Sequence, residues 1–401
     1  MGSFSAVKVT GRVWWVGAVD WNLREFHGYR TGRGSTYNAF LVLDDKVTLI
    51  DTVKAPFFEE MRDRIASVID PAKIDYIISN HAEMDHSGAL PRAVAEFQPE
   101  KVFCSAMGEK ALRAHFGNGL ALTAVKTGDS VSLGRNALNF VETKMLHWPD
   151  SMASYLSGER VLFSQDAFGM HLAGSGRFAS DYSMDLLYDE AKTYFANILL
   201  LQSPKVAALL DDLAGLLPEV EVIAPDHGPV WRGERGKVLD WYRAFSAQKP
   251  EKRAVVLYDT MWHSTEKMAN AVADGLNVSG VPADVLSLHS VTRSEAMTRI
   301  MGAGLLAVGT PTLNNNLYPS VADCLTYARG LRPAVALGAA FGSFGWSGEG
   351  ARQAAEYLAQ MKIEQPEPVL AVKYVPDAAA LEQCCAFGVK LADALKKKLE
   401  A

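Results

Sequence analysis

Four metal-ligand side chains crowd into six consecutive positions of this chain: His81, Glu83, Asp85 and His86, within KIDYIISNHAEMDHSGAL (Lys73–Leu90). The apolar residues before them, Ile74, Tyr76, Ile77 and Ile78, read as a buried strand. The four therefore sit on a loop at a strand end, where a rigid sheet presents ligands. Alternate spacing in an extended loop aims His81, Glu83 and Asp85 at one centre or at two neighbours. Titratable groups beside an apolar strand are costly to bury unpaired. Three further candidates end other apolar runs: His147 in MLHWPDS, Asp166 in VLFSQDAFG and His227 in VIAPDHGP. Each of these alone reads as readily as a structural hydrogen-bonder. Together the seven donors exceed what one tetrahedral ion takes, and they suit two metals that share a bridging carboxylate. All are imidazole or carboxylate and none is thiolate. Such a set fits Fe, Mn or Zn, and its carboxylate content shifts the balance toward Fe or Mn.

A second constellation follows an apolar run at Ala254–Tyr258. The loop DTMWHSTEK (Asp259–Lys267) leads into a helical pattern. The hydroxyls of Thr260, Ser264 and Thr265, the loop amides and the helix N-terminus make a neutral anion cradle for a phosphate monoester. Helix caps are rich in Ser and Thr as well, so this loop by itself is only moderately specific. No GxxxxGK[ST] is present, which argues against nucleoside triphosphate hydrolysis. No GxGxxG follows the strand, which argues against a dinucleotide. Two more loops end later strands: VGTPTLNNN (Val308–Asn316) and FGSFGWSGE (Phe341–Glu349). Open α/β sheets bind ligands at these carboxyl ends. Glycines let the backbone approach a flat ring, Trp346 can stack on it, and Asn and Thr side chains can satisfy its polar edge. Trp262 covers a phosphate or sugar chain, or simply packs.

The elements that must position these groups divide the chain in two. The polar stretch Ser246–Arg253 (SAQKPEKR) marks the break. After it, strand-length runs at Ala254–Tyr258, Val285–Leu288, Leu305–Val308, Val335–Phe341 and Val369–Val375 alternate with helical periodicity. That pattern predicts a doubly wound parallel sheet. Before it, short runs at Phe40–Leu43, Val47–Ile50, Tyr76–Ser79, Val102–Cys104 and Leu138–Val141 mix with helical stretches such as Phe57–Ser67 and Val206–Leu217. Two sheets with outer helices are expected there. The 401 residues are 49% apolar and 21% charged, which excludes disorder and coiled coil. A net charge of −6 leaves no basic footprint for nucleic acid or an anionic membrane. No apolar run is long enough to span a bilayer. The opening MGSFSAVKVTGRVWW lacks the basic and apolar regions of a secretory leader, and Ala6 breaks the myristoylation pattern. Four scattered cysteines suit a reducing, cytoplasmic compartment.

The motif H-x-E-x-D-H, with His147, Asp166 and His227 following, resembles the diiron site of flavodiiron proteins. It is a variant of the metallo-β-lactamase-like H-x-H-x-D-H signature in which Glu83 replaces the second His. The resemblance extends to DWNLREFHGY (Asp20–Tyr29), STYNAFLV (Ser35–Val42), LHWPDSM, PDHG, DTMWHSTEKMA and GSFGWSGE, and so covers essentially the whole chain. It implies an N-terminal metallo-β-lactamase-like αββα sandwich over residues 1–249. It also implies a C-terminal flavodoxin-like, doubly wound parallel five-stranded sheet over 250–401. By motif, His81, Glu83 and His147 bind one iron, Asp85, His86 and His227 the other, and Asp166 bridges. The His86 position is a ligand in some members and not in others. His27 and Tyr194 match positions near the open face of that site, although a packed aromatic on a helix is the plain alternative for Tyr194. The flavodoxin loops imply FMN held by Thr260, Met261, Trp262, His263, Ser264, Thr265, Pro311, Thr312, Leu313, Asn314, Asn315, Ser343, Phe344, Gly345, Trp346, Ser347 and Gly348.

The implied activity is reduction of dioxygen to water, of nitric oxide to nitrous oxide, or both, with electrons passing through FMN. Dioxygen needs four electrons, which two ferrous ions and a two-electron flavin together hold. With no further redox module on the chain, this resembles the minimal, A-type form, fed by a separate rubredoxin. The family's working unit is a head-to-tail homodimer or a dimer of dimers. Two rivals stand beside this reading. One is a zinc hydrolase of the metallo-β-lactamase type fused to a flavodoxin domain. The other is a non-catalytic diiron and flavin electron carrier or gas sensor.

Overall fold

The computed structural model describes residues 4–400. Residues 1–3 of the opening segment MGSFSAVKVTGRVWW, read as lacking a secretory leader, lie outside them. The chain divides into two compact units. One runs as far as Tyr194 and takes in Pro204–Arg243. The other combines Phe195–Ser203 with the chain from Ala244 onward.

The first unit is an αββα sandwich. Its seven-stranded sheet places strands in chain order, from Val7–Lys8 through Val13–Trp15, Phe40–Val42, Thr48–Ile50, Tyr76–Ser79 and Lys101–Ser105 to Leu122–Val125. Tyr76–Ser79 lies between two parallel neighbours, Thr48–Ile50 and Lys101–Ser105. A strand covered on both faces must be apolar throughout, which is why the residues before the ligand loop show no alternation. The six-stranded sheet also follows chain order, from Ser130–Ser132 to Trp231–Arg232. In it Val161–Gln165 pairs in parallel with Val222–Pro225, with Gln165 opposite Pro225. That register sets Asp166 and His227, which follow these two strands, at the same end of the sheet. Phe40, Phe103, Phe140 and Phe163 fill the space between the sheets, with the Phe40 and Phe163 rings 5.4 Å apart. Helices Phe58–Ala66, Leu90–Phe97 and Ala106–Phe116 cover the other face of the first sheet, over Leu49, Ile77 and Cys104.

The second unit carries a five-stranded, wholly parallel sheet. Its spatial order is Ala283–Ser287, Glu251–Tyr258, Ala303–Gly309, Leu337–Phe344 and Leu370–Lys373. The order reverses beside Glu251–Tyr258, so a crevice opens at the carboxyl ends there. Helices Ser264–Val278 and Ala378–Glu400 pack side by side on one face, over Val256, Ala307 and Phe341. Their close approach needs glycine. A Cβ at Gly275 would lie 2.0 Å from the Cys385 carbonyl oxygen, and one at Gly388 would lie 2.1 Å from that of Val272.

Several sequence expectations shift. The stretch Ser246–Arg253, read as the break in the chain, is mostly regular: helix Arg235–Ala247 enters it and strand Glu251–Tyr258 leaves it. Its first strand residues are polar because they are exposed, yet Glu251 already pairs with Ala303. The helix expected over Val206–Leu217 spans Ser203–Asp212. The strands expected over Val335–Phe341 and Val369–Val375 are Leu337–Phe344 and Leu370–Lys373. Among the described residues no helix is long and apolar enough to cross a membrane.

Candidate metal and flavin sites

The loop after Tyr76–Ser79 delivers His81 and Glu83, and the short helix Met84–Ser87 delivers Asp85 and His86. His147 comes from the connection between strands Ala137–Glu142 and Met152–Leu156, where the Leu146–His147 peptide is cis. With Asp166 and His227 these residues form two adjoining groups of ligand atoms: His81, Glu83, His147 and Asp166, and Asp85, His86 and His227. Asp166 faces both. Its Oδ2 lies 3.4 Å from His81 Nε2 and 3.2 Å from His147 Nε2. Its Oδ1 lies 3.3 Å from His86 Nε2 and 3.4 Å from His227 Nε2. Within the groups, His147 Nε2 is 3.1 Å from Glu83 Oε2, and His227 Nε2 is 3.2 Å from Asp85 Oδ2.

These separations fit metal ions. Donors placed tetrahedrally about 2.0–2.1 Å from one ion stand ~3.3 Å from each other. Direct hydrogen bonding does not account for the cluster. Both oxygens of Asp85, both of Asp166 and both ring nitrogens of His86 are buried without a hydrogen-bond partner in the protein. Buried polar atoms of that kind call for an explanation, and an ion is the simplest one. The electrostatics agree. Burial pushes the His147 imidazole down, but Asp166 and Glu83 outweigh it and lift the ring to about 9. Burial likewise opposes a charge on His86, yet Asp85, Asp226 and Asp166 raise it to about 10. The carboxylates demand positive charge at this spot.

A second ring of side chains aims the ligands. His227 Nδ1 donates to the Thr36 carbonyl at 2.6 Å, which leaves Nε2 as a lone-pair donor toward the cluster. Asp150 Oδ2 lies 3.0 Å from His81 Nδ1 and accepts the Ala82 amide at 2.6 Å. Asp226 Oδ2 stands 3.5 Å from His86 Nδ1. Asp51, in the left-handed region at φ 54°, accepts the Asn80 amide and side chain at 2.7 and 2.8 Å and so fixes the loop's first residue. Burial pushes the Asp51 carboxyl up to about 6, and burial together with Asp51 pushes Asp226 well up.

The carboxyl ends of the parallel sheet in the second unit enclose a cavity of about 530 Å³. That is ordinary for a cofactor pocket. It is lined by Thr260, Met261, Trp262 and Ser264 of the first loop, residues 311–315 of the second, and Ser343 to Ser347 of the third. Thr260 Oγ1 is buried without a protein partner at the start of the cradle. Asn314 and Asn315 both adopt left-handed backbone, at φ 49° and 61°. Trp262 and Trp346 are 86% and 87% exposed at the mouth. An orphan hydroxyl in the loop that leads into a helix, and an aromatic-rimmed slot, fit a phosphorylated flat ring.

Comparison with known proteins places this geometry. A family model described as ODP family beta lactamase matches residues 36–228, and one described as flavodoxin matches 256–388. The rubredoxin-oxygen oxidoreductase of Megalodesulfovibrio gigas is 43% identical over 400 residues, covering 99% of this chain and 100% of that protein. The chain belongs to the flavodiiron protein family. The nitric oxide reductase of Moorella thermoacetica is 42% identical, over 96% of this chain and 98% of that protein. The solved flavodiiron protein of Giardia intestinalis superposes with a TM-score of 0.95 at 33% identity, covering 100% of this chain and 99% of that one. A flavodiiron protein carries a diiron centre and FMN, and the two donor groups and the cavity described above fit them.

The seven ligand candidates of the flavodiiron motif all meet in the first unit. His27 joins them: its Nε2 contacts Glu83 Oε1, leaving Oε2 for the first group. Tyr194 ends helix Met184–Tyr194, and its ring lies 6.3 Å from that of His227. Of the flavin candidates, His263, Thr265 and Gly348 do not line the cavity. Thr265 is buried below it and bonds Ser343 Oγ at 3.0 Å, and His263 turns to Glu266. Tyr374 and Val375 line it unannounced, because they lie beyond a strand that carries no loop motif. Sequence reasoning also missed Asp150, Asp226, Asp51 and His171. Asp150 and Asp226 stand inside HWPDS and PDHG, where His drew the attention. His171 is a buried imidazole 2.7 Å from Ser35 Oγ, its ring 5.2 Å from Tyr194.

Proposed function

We propose that this chain reduces dioxygen to water, nitric oxide to nitrous oxide, or both, with electrons from a rubredoxin-type donor. The observation that carries the reading is Asp166, whose two oxygens face separate donor groups on a chain that also holds a flavin cavity. The names of the relatives from M. gigas and M. thermoacetica support the two substrates and the donor.

In this reading His81, Glu83 and His147 would hold one iron and Asp85, His86 and His227 the other, with Asp166 facing both groups. When bound, the irons supply redox chemistry and a Lewis-acid seat for a diatomic oxidant, and FMN supplies electrons. The protein's own groups do the positioning. Asp150 and the Thr36 carbonyl set the rings of His81 and His227, and His27 braces Glu83. Phe26, His171 and Tyr194 wall the site, with the Phe26 and His171 rings 4.9 Å apart, and limit water. Burial, then the nearby Asp166, hold the Tyr194 hydroxyl well above its ordinary value, so it stays an O–H donor rather than a phenolate.

The functional division follows residues 1–249 for the metals and 250–401 for FMN, gripped by Thr260, Met261, Trp262 and Ser264, residues 311–315 and Ser343 to Ser347, with Thr265 bracing Ser343 from behind. The working unit is a head-to-tail homodimer, alone or paired. Exposed Trp262, Trp346 and Tyr374 about the flavin cavity, with exposed Met84 in the ligand loop, give apolar surface for a second copy to cover. Four free thiols suit a reducing cytoplasm. The test is metal analysis of protein made in iron-replete cells, followed by an anaerobic electrode assay with rubredoxin that offers each gas in turn. Consumption of neither gas, with zinc in place of iron, would return the hydrolase reading.

A further inference from the structure

The phosphate end of the flavin cavity rests on a buried carboxylate. Asp259, where strand Glu251–Tyr258 gives way to the hydroxyl loop, is 1% exposed. Its Oδ1 accepts the Thr260 amide at 2.6 Å, and its Oδ2 takes the Ser320 hydroxyl. A buried anion beside a cradle for a second anion is unfavourable unless it is paired and hydrogen-bonded. His289 meets that need. Its Nε2 lies 2.9 Å from Asp259 Oδ1 and 3.1 Å from the Thr260 carbonyl oxygen. Both partners are acceptors only, so Nε2 carries a proton and donates to each.

Sheet order makes this reach possible. His289 follows Ala283–Ser287, the edge strand that pairs in parallel with Glu251–Tyr258, so the two strands deliver their loops side by side. The bond to the Thr260 carbonyl holds the one cradle residue whose hydroxyl is buried, lines the cavity and has no protein partner. The His289 side chain is itself 59% exposed, so it is not a piece of the core.

We propose that His289 is a positioning residue for the FMN phosphate: it clamps Asp259 and the Thr260 carbonyl, turning the Thr260 hydroxyl to the phosphate and offsetting the carboxylate behind it. This rests on the flavin reading above. His289 contacts the loop and does not line the cavity, so its effect belongs to the phosphate cradle and not to the ring.

The test titrates the full chain, stripped of flavin by dialysis against concentrated bromide, with FMN and separately with riboflavin, following flavin fluorescence. His289→Ala is expected to weaken FMN by roughly tenfold to a hundredfold, the worth of a charge-assisted hydrogen bond. Riboflavin, which has no phosphate, is expected to bind wild type and variant alike. The pair His289→Gln and His289→Met keeps the test open should the alanine variant fail to fold. Gln retains an N–H donor and must hold FMN more tightly than Met, with no difference for riboflavin. Equal loss of both flavins makes His289 a general fold element and overturns the proposal, as does FMN binding unchanged in every variant. A wild-type chain that binds neither flavin would instead overturn the FMN reading itself.

Discussion

Asp150→Ala tests whether the residues behind the ligands control the metals. Asp150 Oδ2 serves two buried donors at once, the Ala82 amide at 2.6 Å and His81 Nδ1 at 3.0 Å. Truncation leaves both without a partner at buried positions. Each orphaned donor costs about 1–3 kcal/mol, so the pair costs ~2–6 kcal/mol. Against a total stability of about 5–15 kcal/mol, that is a large loss. The metal effect is separate. His81 loses the partner that fixes its ring and tautomer, and such losses typically weaken metal binding by about 10- to 100-fold. Asp150→Asn should be milder. Both bonds end on the same oxygen, so an amide oxygen can keep them, while the new NH2 group enters the place of Oδ1, which has no partner to offer it. The expected order of iron retention is wild type, then Asn, then Ala. The assay is iron per chain after graded chelator competition, with thermal unfolding of the same samples. Wild-type chelator resistance and an unchanged Tm in Asp150→Ala would refute the reasoning.

Asp166→Ala removes the carboxylate that faces both donor groups and should abolish most bound iron at both positions; an intact diiron spectrum in that variant would sink the bridging assignment. Gly342→Ala would place a Cβ 2.0 Å from the Thr310 carbonyl oxygen and should yield protein that holds no FMN, whereas Gly345→Ala meets nothing nearer than Tyr374 at 3.5 Å and should keep it. Burial opposes ionisation of Asp44, but bonds from Arg135, Asn136 and Asp45 hold its carboxyl below the ordinary value. Its stabilisation is therefore present above the usual carboxylate range and lost as pH falls through the folded value, so the Tm gap between wild type and Asp44→Ala should close on acidification. Mixed dimers of His81→Ala/Asp166→Ala chains with Thr265→Ala/Trp346→Ala chains should recover part of the rate, because each contains one intact flavin and one intact metal site on opposite chains. No recovery in confirmed mixed dimers would place electron transfer within a single chain.

The chain's local chemistry was legible in its sequence. Four ligand residues in six positions after an apolar strand, and three loops rich in hydroxyl, amide or glycine residues after later strands, are features of neighbours along the chain. Adjacency alone keeps such groups together, and strand-end placement follows from hydrophobic pattern. The alternating runs after Ser246–Arg253 likewise disclosed the parallel sheet, although polar Glu251–Arg253 hid the start of its first strand.

Only the tertiary structure decided which atoms meet. That Asp166 turns one oxygen to His147 and the other to His227 depends on the register of Val161–Gln165 against Val222–Pro225 and on packing between two sheets. The partnership of His81 with Asp150, 69 positions away, carries no local signal, since a buried Asp beside a Pro reads the same whether it caps a turn or orients a ligand. His289 illustrates the same limit in the other unit. Nothing in LHSVT marks it, because its role comes from the edge strand's parallel pairing, which brings its loop beside that of Asp259. Short-range spacing specifies a residue's chemistry, but strand pairing and packing between distant segments set the partner and distance through which it acts.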